Sequence, residues 1–184
     1  MSALGHPTQH DQLLNYQLKR LLTLGGAPAI RLCEGGYGIA RQEWRLMAAL
    51  VEHGPLSPSE LAQQAHIEFA RVSRTVKSLS AKRLVERVTS SSDRRRALLA
   101  ATQKGKLLYT ELMPQLAAIN SRLMAVLDDG EALLLEQFLA RLTAQAEAIH
   151  AAGDGVAVKT GRHLGGSRRI WEGQQRAEPF SPAR

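Results

Sequence analysis

The four residues Ser57-Pro58-Ser59-Glu60 constrain this chain more than any others, because together they mark where a helix must start. Ser57 can accept a hydrogen bond from the amide three residues on. Pro58 suits the first helical position, where no donor is needed, and Glu60 sits where a carboxylate reaches back to the Ser57 amide. The helix so begun is brief: "ELAQQAHI" carries it to about His66 before "EFARVSRTVKSLSAKRLVE" opens another. A short helix and a longer one joined by a few residues make a helix-turn-helix.

At ~100° per residue, Val72, Val76 and Leu79 share one face of the second helix, while Arg71, Arg74, Thr75, Ser78 and Lys82 cluster on another. An ordinary amphipathic surface helix mixes Glu with Lys on its outer side. Here no carboxylate occurs from Arg71 to Arg83. After Leu84 the period changes: "LVERV" alternates apolar and polar, "RALLAAT" is a second short apolar run, and the turn-prone "TSSSDRRR" lies between them. That pattern predicts two short strands joined by a basic tip, a β-hairpin.

A run of three arginines alone is most often a solvated surface, so the charge map has to decide. The chain carries a net +7. From Arg71 to Lys104 there are ten Lys and Arg against Glu86 and Asp93, a local +8 that leaves the remainder at −1. A basic patch on a slightly acidic body is the electrostatic footprint of a protein that binds a polyanion through one surface.

The flanks read as helix. Aromatics make up only 4% of the chain, Leu and Ala abound, and no long Val/Ile/Thr block occurs, which favours a mostly helical protein. From Asp11 to Cys33, leucines 13, 14, 18, 21, 22 and 24 fall at helical spacing until Gly25, Gly26 and Pro28, a pattern that predicts a kinked or broken helix. "ARQEWRLMAALVEHG" places Trp44, Met47, Ala48 and Val51 on one stripe and stops at Gly54-Pro55. Long Leu/Ala-rich helices are expected from Thr102 to about Met124 and from Asp128 to His150, with Thr102 and Asp128 placed to cap them. A helix-turn-helix with a hairpin needs neither terminal region for its own core, so their economical use is helix-packed dimerisation. From Ala151 the texture turns to Gly, Pro, Ser and scattered Arg, which predicts a disordered basic tail.

Other function classes find little support. His53, His66, Asp93 and the single Cys33 form no nucleophile motif, metal-ligand spacing or phosphate loop, and His6 with His10 is a loose terminal pair, so no enzyme is expected. One cysteine permits no intrachain disulfide and fits a reducing compartment, leaving a redox-sensing thiol as an alternative. No stretch approaches the ~18 apolar residues of a membrane span. "MSALGHPTQHDQ" lacks the regions of a signal peptide, so a cytoplasmic protein without membrane contact is expected.

The segment from Tyr37 to Gly105 resembles the core of a MarR-type transcriptional regulator. "VSRTVKSLSAKRLVER" is similar to the family's recognition helix and first strand, and "DRRRALLAATQKG" to its Asp-Arg-Arg wing ending in a Thr-x-x-Gly helix start. Ser90, Ser91 and Ser92 depart from the acidic or proline-containing stretch that members often carry before the wing Asp, leaving a more flexible, less acidic tip. The resemblance implies a mainly α fold: a winged helix-turn-helix with a short β-hairpin wing and long N- and C-terminal dimerisation helices. The expected divisions are a flexible 1–10, an N-terminal dimerisation region 11–36, the DNA-binding domain 37–104, C-terminal dimerisation helices 105–150 and the tail 151–184.

It further implies a homodimeric repressor on a pseudo-palindromic double-stranded DNA operator. Arg71, Ser73, Arg74, Thr75, Lys77, Ser78 and Lys82 would face the major groove and its phosphates. Arg94 and Arg95 suit the minor groove, Arg96 meets phosphate or solvent, and Asp93 orients a neighbouring arginine. The family is released from DNA by small ligands, often phenolic or aromatic acids, and "YGIARQEWRLMAAL" resembles the subgroup that governs aromatic-acid breakdown. A ring with a carboxylate needs one cation and an apolar slot, which makes Tyr16, Arg20, Arg31, Tyr37, Trp44 and Arg45 the candidates. No cofactor is expected beyond that effector. The alternatives are an architectural DNA-binding protein without effector and a redox-responsive regulator acting through Cys33.

Overall fold

The computed structural model describes residues 2–89 and 97–153. The tip 90–96, with Asp93, Arg94, Arg95 and Arg96, and the tail beyond 153 therefore lie outside the described residues. The chain divides into two compact units, 1–125 and 126–184. The first runs α1 (Leu14–Arg31), α2 (Arg41–His53), α3 (Pro58–Gln64), α4 (Phe69–Ala81), β1 (Val85–Thr89), β2 (Ala97–Ala101) and α5 (Gln103–Met124). The second holds α6 (Asp129–Ala151). This is the order helix, helix-turn-helix, hairpin, long helix.

Local chemistry sets most of the boundaries. Ser57 Oγ accepts the Glu60 amide at 3.3 Å while Glu60 Oε2 accepts the Ser57 amide at 2.8 Å, with Pro58 at the first helical position. Asp128 and Glu131 make the same reciprocal pair at the start of α6, at 2.9 and 3.0 Å. The strands pair antiparallel, with Val85 opposite Ala101 and Thr89 opposite Ala97. Leu56, in the turn after α2, exchanges two backbone bonds with Leu99 at 3.0 and 2.8 Å and so extends the hairpin by one bridge.

α1 differs from expectation. It runs unbroken through Gly25, Gly26 and Pro28, and the irregular turn comes later, as a π-type turn at Leu32–Gly36. The glycine is a packing notch here: a Cβ on Gly25 would stand 3.0 Å from the Leu123 side chain of α5. Close approach of two helices, and not a break in one, is what the missing side chain serves.

The core of the first unit gathers Leu46, Met47 and Leu50 of α2, Leu61 of α3, Val72, Val76 and Leu79 of α4, Leu99 of β2 and Leu112 of α5. α4 thus lies on the body by one stripe, as its period requires. The join between hairpin and α5 explains the Thr-x-x-Gly pattern. The Thr102 amide donates to the Leu84 carbonyl at 3.0 Å, and the Thr102 hydroxyl donates to the Arg83 carbonyl at 2.8 Å and accepts the Gly105 amide at 3.1 Å. Gly105 then passes so near the Leu84 carbonyl oxygen that a Cβ would lie 2.3 Å from it.

No residue of α6 is buried, and Leu133, Leu134, Leu135, Phe138, Leu139, Leu142 and Ile149 are exposed along it. On α1, Leu21, Leu22 and Leu24 are likewise more than half exposed, at 52%, 54% and 66%. Among the described residues no helix is long and apolar enough to cross a membrane.

Candidate nucleic-acid interface

Viewed down α4, the buried stripe of Val72, Thr75, Val76 and Leu79 fixes which direction is outward. At ~100° per residue the side opposite carries Arg74 and Lys77, with Ser73 and Ser80 on the flank towards the hairpin, all exposed. Arg71 is also exposed and pairs with Glu68 one turn back at 3.4 Å. Such exposed pairs are worth little, so the guanidinium can exchange this partner for another anion.

Three of the expected DNA contacts are placed otherwise. Thr75 is only 8% exposed and its hydroxyl donates to the Arg71 carbonyl at 3.1 Å, which keeps it within the helix. Ser78 and Lys82 lie on the flank of α4 that meets the start of α2. Ser78 Oγ donates to Glu43 Oε1 at 2.6 Å, and Lys82 Nζ donates to Glu43 Oε2 at 2.6 Å and to the Gly38 carbonyl at 2.7 Å. The cationic face is therefore turned from the Arg71–Ser78–Lys82 stripe towards Ser73, Arg74 and Lys77.

Sequence reasoning missed Glu43, which is only 5% exposed. Its carboxylate also accepts the Ala40 amide at 2.7 Å at the start of α2. Burial raises this carboxyl, but hydrogen bonds from Lys82, Ser78 and Ala40 and the Lys82 charge together outweigh it and hold the group below its ordinary 4.5. An acid three residues into "ARQE" is a capping signal that was there to read.

Between α4 and the hairpin lies a cavity of about 400 Å³, apolar at Val72, Val76 and Leu99 and edged by Ser73, Lys77 and Arg87. Arg87 stands opposite Leu99 on β1 and adds a cation at the edge of this cavity. Arg87 belongs to the basic stretch of the sequence, and its place on β1 is what brings it to this site.

The six ligand candidates do not gather. Tyr16 and Arg20 line a cleft of about 490 Å³ with Leu21, Leu24 and Leu123. Tyr37 donates its hydroxyl to Glu111 at 3.0 Å and accepts from Gln115, both on α5. Trp44 stacks on Tyr109 with centroids 5.5 Å apart and planes 10° from parallel. Tyr109 in turn donates to Glu52 at 2.7 Å, a bond that, with burial and the Glu52 charge, raises its phenol. Arg45 donates to the carbonyls of Ala65 and His66 beyond the end of α3. It is thereby engaged as a helix cap, because the last carbonyls of a helix lack partners of their own. Arg31, in the last turn of α1, is exposed and lines none of these sites.

Cys33 is 3% exposed, and burial followed by the nearby Glu34 charge pushes its thiol up. A redox sensor needs an accessible, low-pKa thiolate, so the structure speaks against the redox alternative.

Against known proteins, the sequence model of the MarR family matches residues 37–96. Over 112 residues, 61% of this chain and 77% of the relative, the chain is 32% identical to the HTH-type transcriptional regulator FarR of Neisseria gonorrhoeae. It is 28% identical over 110 residues, 60% of this chain and 71% of the relative, to the HTH-type transcriptional repressor MdtR of Bacillus subtilis (strain 168). Among solved structures, NadR in complex with 4-hydroxyphenylacetate is similar at a TM-score of 0.62 and 30% identity, covering 74% of this chain and 96% of that one.

Proposed function

This chain belongs to the MarR family of transcriptional regulators and is not an enzyme, and from that premise we propose that it represses transcription as an effector-released homodimer. The observation that carries the reading is the outward row Ser73, Arg74 and Lys77 on a helix anchored by its opposite stripe, with no carboxylate from Arg71 to Arg83. Arginine offers two parallel donors to a guanine edge, and lysine a point charge for phosphate. The tip residues Arg94 and Arg95 are assigned to the minor groove, where the family resemblance puts the wing, Arg96 to phosphate or solvent, and Asp93 to orienting an arginine.

Dimerisation gives a use to the apolar surfaces of α1 and α6, each left exposed on a lone chain. Two-fold symmetry then calls for two half-sites about 34–36 Å apart, one turn of DNA. The effector is assigned to the class of aromatic or phenolic acids. Arg20 and Tyr16 beside three leucines offer a cation, a ring partner and an apolar slot in one cleft, whose wall also carries Asp11 and Gln17, and NadR, 30% identical, is solved with 4-hydroxyphenylacetate. Footprinting of the DNA upstream of the gene and its neighbours, repeated with a panel of aromatic acids, tests the reading. Paired protected half-sites that vanish with one acid support it. A footprint that no acid disturbs, together with no acid raising the melting temperature, favours an architectural protein without effector.

A further inference from the structure

Lys82 is part of the basic stretch, yet its ammonium is already engaged. Two of its three donors go to Glu43 Oε2 at 2.6 Å and the Gly38 carbonyl at 2.7 Å. Both Glu43 oxygens are engaged as well: Oε1 accepts from Ser78, and Oε2 accepts from the Ala40 amide and Lys82. Its side chain is 6% exposed against 35% for Lys82, so the carboxylate is the buried centre and the ammonium covers it. Pulling Lys82 out toward a phosphate would leave that carboxylate buried without its charge partner. Removing one partner of such a pair costs far more than a surface contact returns.

The same node spans two parts of the first unit. Ser78 and Lys82 belong to the C-terminal end of α4 and the turn after it, whereas Gly38 and Ala40 lead into α2 and Glu43 lies in its first turn. That segment is tied on its other side as well. The Ile39 amide donates to the Cys33 carbonyl at 3.0 Å, and Tyr37 is bonded to Glu111 and Gln115 of α5. Gly38 takes the left-handed φ of +63°, which lets the chain turn its carbonyl to Lys82. Apolar packing of one stripe sets which face of α4 turns to the core; directional bonds at one flank refine that rotation and fix the slide of the helix along its axis.

We propose that Glu43, Ser78 and Lys82 are positioning residues that fix the orientation of α4 for DNA reading, with Lys82 held away from the DNA it was expected to touch. The inference rests on the DNA-binding function proposed above. Its signature is weaker specific binding with every phosphate interaction retained.

The test measures binding of the full-length protein to two duplexes, the footprinted upstream segment and a mixed-sequence duplex of the same length, across a series of salt concentrations. A lysine on phosphate contributes about 0.9 to the log–log salt slope on any sequence. For K82M the expected result is a specific affinity lower by roughly 5–100-fold, the scale of one spoiled base position, with non-specific affinity and both salt slopes unchanged. E43Q should reproduce that loss, and the double variant E43Q/K82M should lose little more than either alone, since both break one unit. K82R should recover much of it. S78A is a milder variant that keeps the Glu43–Lys82 charge pair; it should lose specificity in the same sense while staying folded at the assay temperature, so the test survives if a charge variant folds poorly.

A salt slope that falls by about 0.9 on both duplexes in K82M would show Lys82 on phosphate and overturn the proposal. So would K82M, E43Q and S78A proteins that discriminate the two duplexes as well as wild type. A wild-type protein that binds neither duplex refutes the DNA-binding reading instead, and the two failures are therefore distinguishable.

Discussion

Gly105→Ala sets intrinsic helix preference against packing at the join of hairpin and α5, and the two predict opposite signs. In a helix, alanine is favoured over glycine by about 1 kcal/mol. At this position the added Cβ meets the Leu84 carbonyl oxygen at 2.3 Å and its carbon at 3.3 Å, where ordinary contact begins at 3.4 Å. Leu84 has little room to give: it is 3% exposed, its amide donates to the Leu79 carbonyl at 3.0 Å, and its carbonyl accepts the Thr102 amide at 3.0 Å. Overpacking of this kind costs about 1–3 kcal/mol, and weakening the Thr102 bond adds about 1 kcal/mol. After the helix gain is subtracted, the variant should be less stable by about 2 kcal/mol, a fall in Tm of roughly 4–8 °C for a chain of this size. Urea unfolding followed by far-UV circular dichroism at matched protein concentrations measures it, the matching being needed because a dimer's stability depends on concentration. A Gly105→Ala protein as stable as wild type, or more so, would refute the close approach.

Other predictions follow from the same contacts. Gly26→Ala, in α1 with nothing within 4 Å of the new Cβ, should hold or raise stability by up to about 1 kcal/mol in the same unfolding assay; a loss would mean that the site is filled by something unseen. Arg45→Ala should lower stability by about 1–3 kcal/mol through the unpaired Ala65 and His66 carbonyls while leaving any aromatic acid's thermal shift intact, and the reverse pattern would restore Arg45 as a ligand contact. Because the folded Glu43 carboxyl lies below its ordinary 4.5, its stabilisation is complete above that pH and is lost as pH falls through the lowered folded value. The stability gap between wild type and Glu43→Gln should therefore shrink as unfolding is repeated from pH 7 down to about pH 3; a gap that stays constant or widens contradicts the ion pair.

What could be read ahead of the structure was mostly local. The Ser57–Glu60 box, the Asp128 cap and the change from period 3.6 to period 2 after Leu84 involve residues a few positions apart, and each places an element close to where the fold has it. Readings that depended on distant partners went astray. Gly25-Gly26-Pro28 has the local look of a break, but the partner that explains Gly25 is Leu123, on another helix. A 100° wheel groups Arg71, Ser78 and Lys82 correctly, yet only the arrival of Glu43 from 35 residues upstream of Ser78 shows that this flank is occupied. Arg45 beside Trp44 resembles a ligand contact until its acceptors appear 20 and 21 residues away. The apolar faces of α1 and α6 were legible as periodicity, and their leucines are exposed because the pattern alone does not say what they pack against.

The central claim is that the outward row of α4 reads DNA, and the salt dependence of binding to the footprinted duplex tests it most directly. Arg74→Ala with Lys77→Ala should weaken specific binding and lower the log–log salt slope by roughly 1 to 2, about 0.9 for each phosphate that is no longer neutralised, with the circular dichroism spectrum and melting temperature unchanged. A double variant that binds with wild-type affinity and wild-type slope would contradict the account.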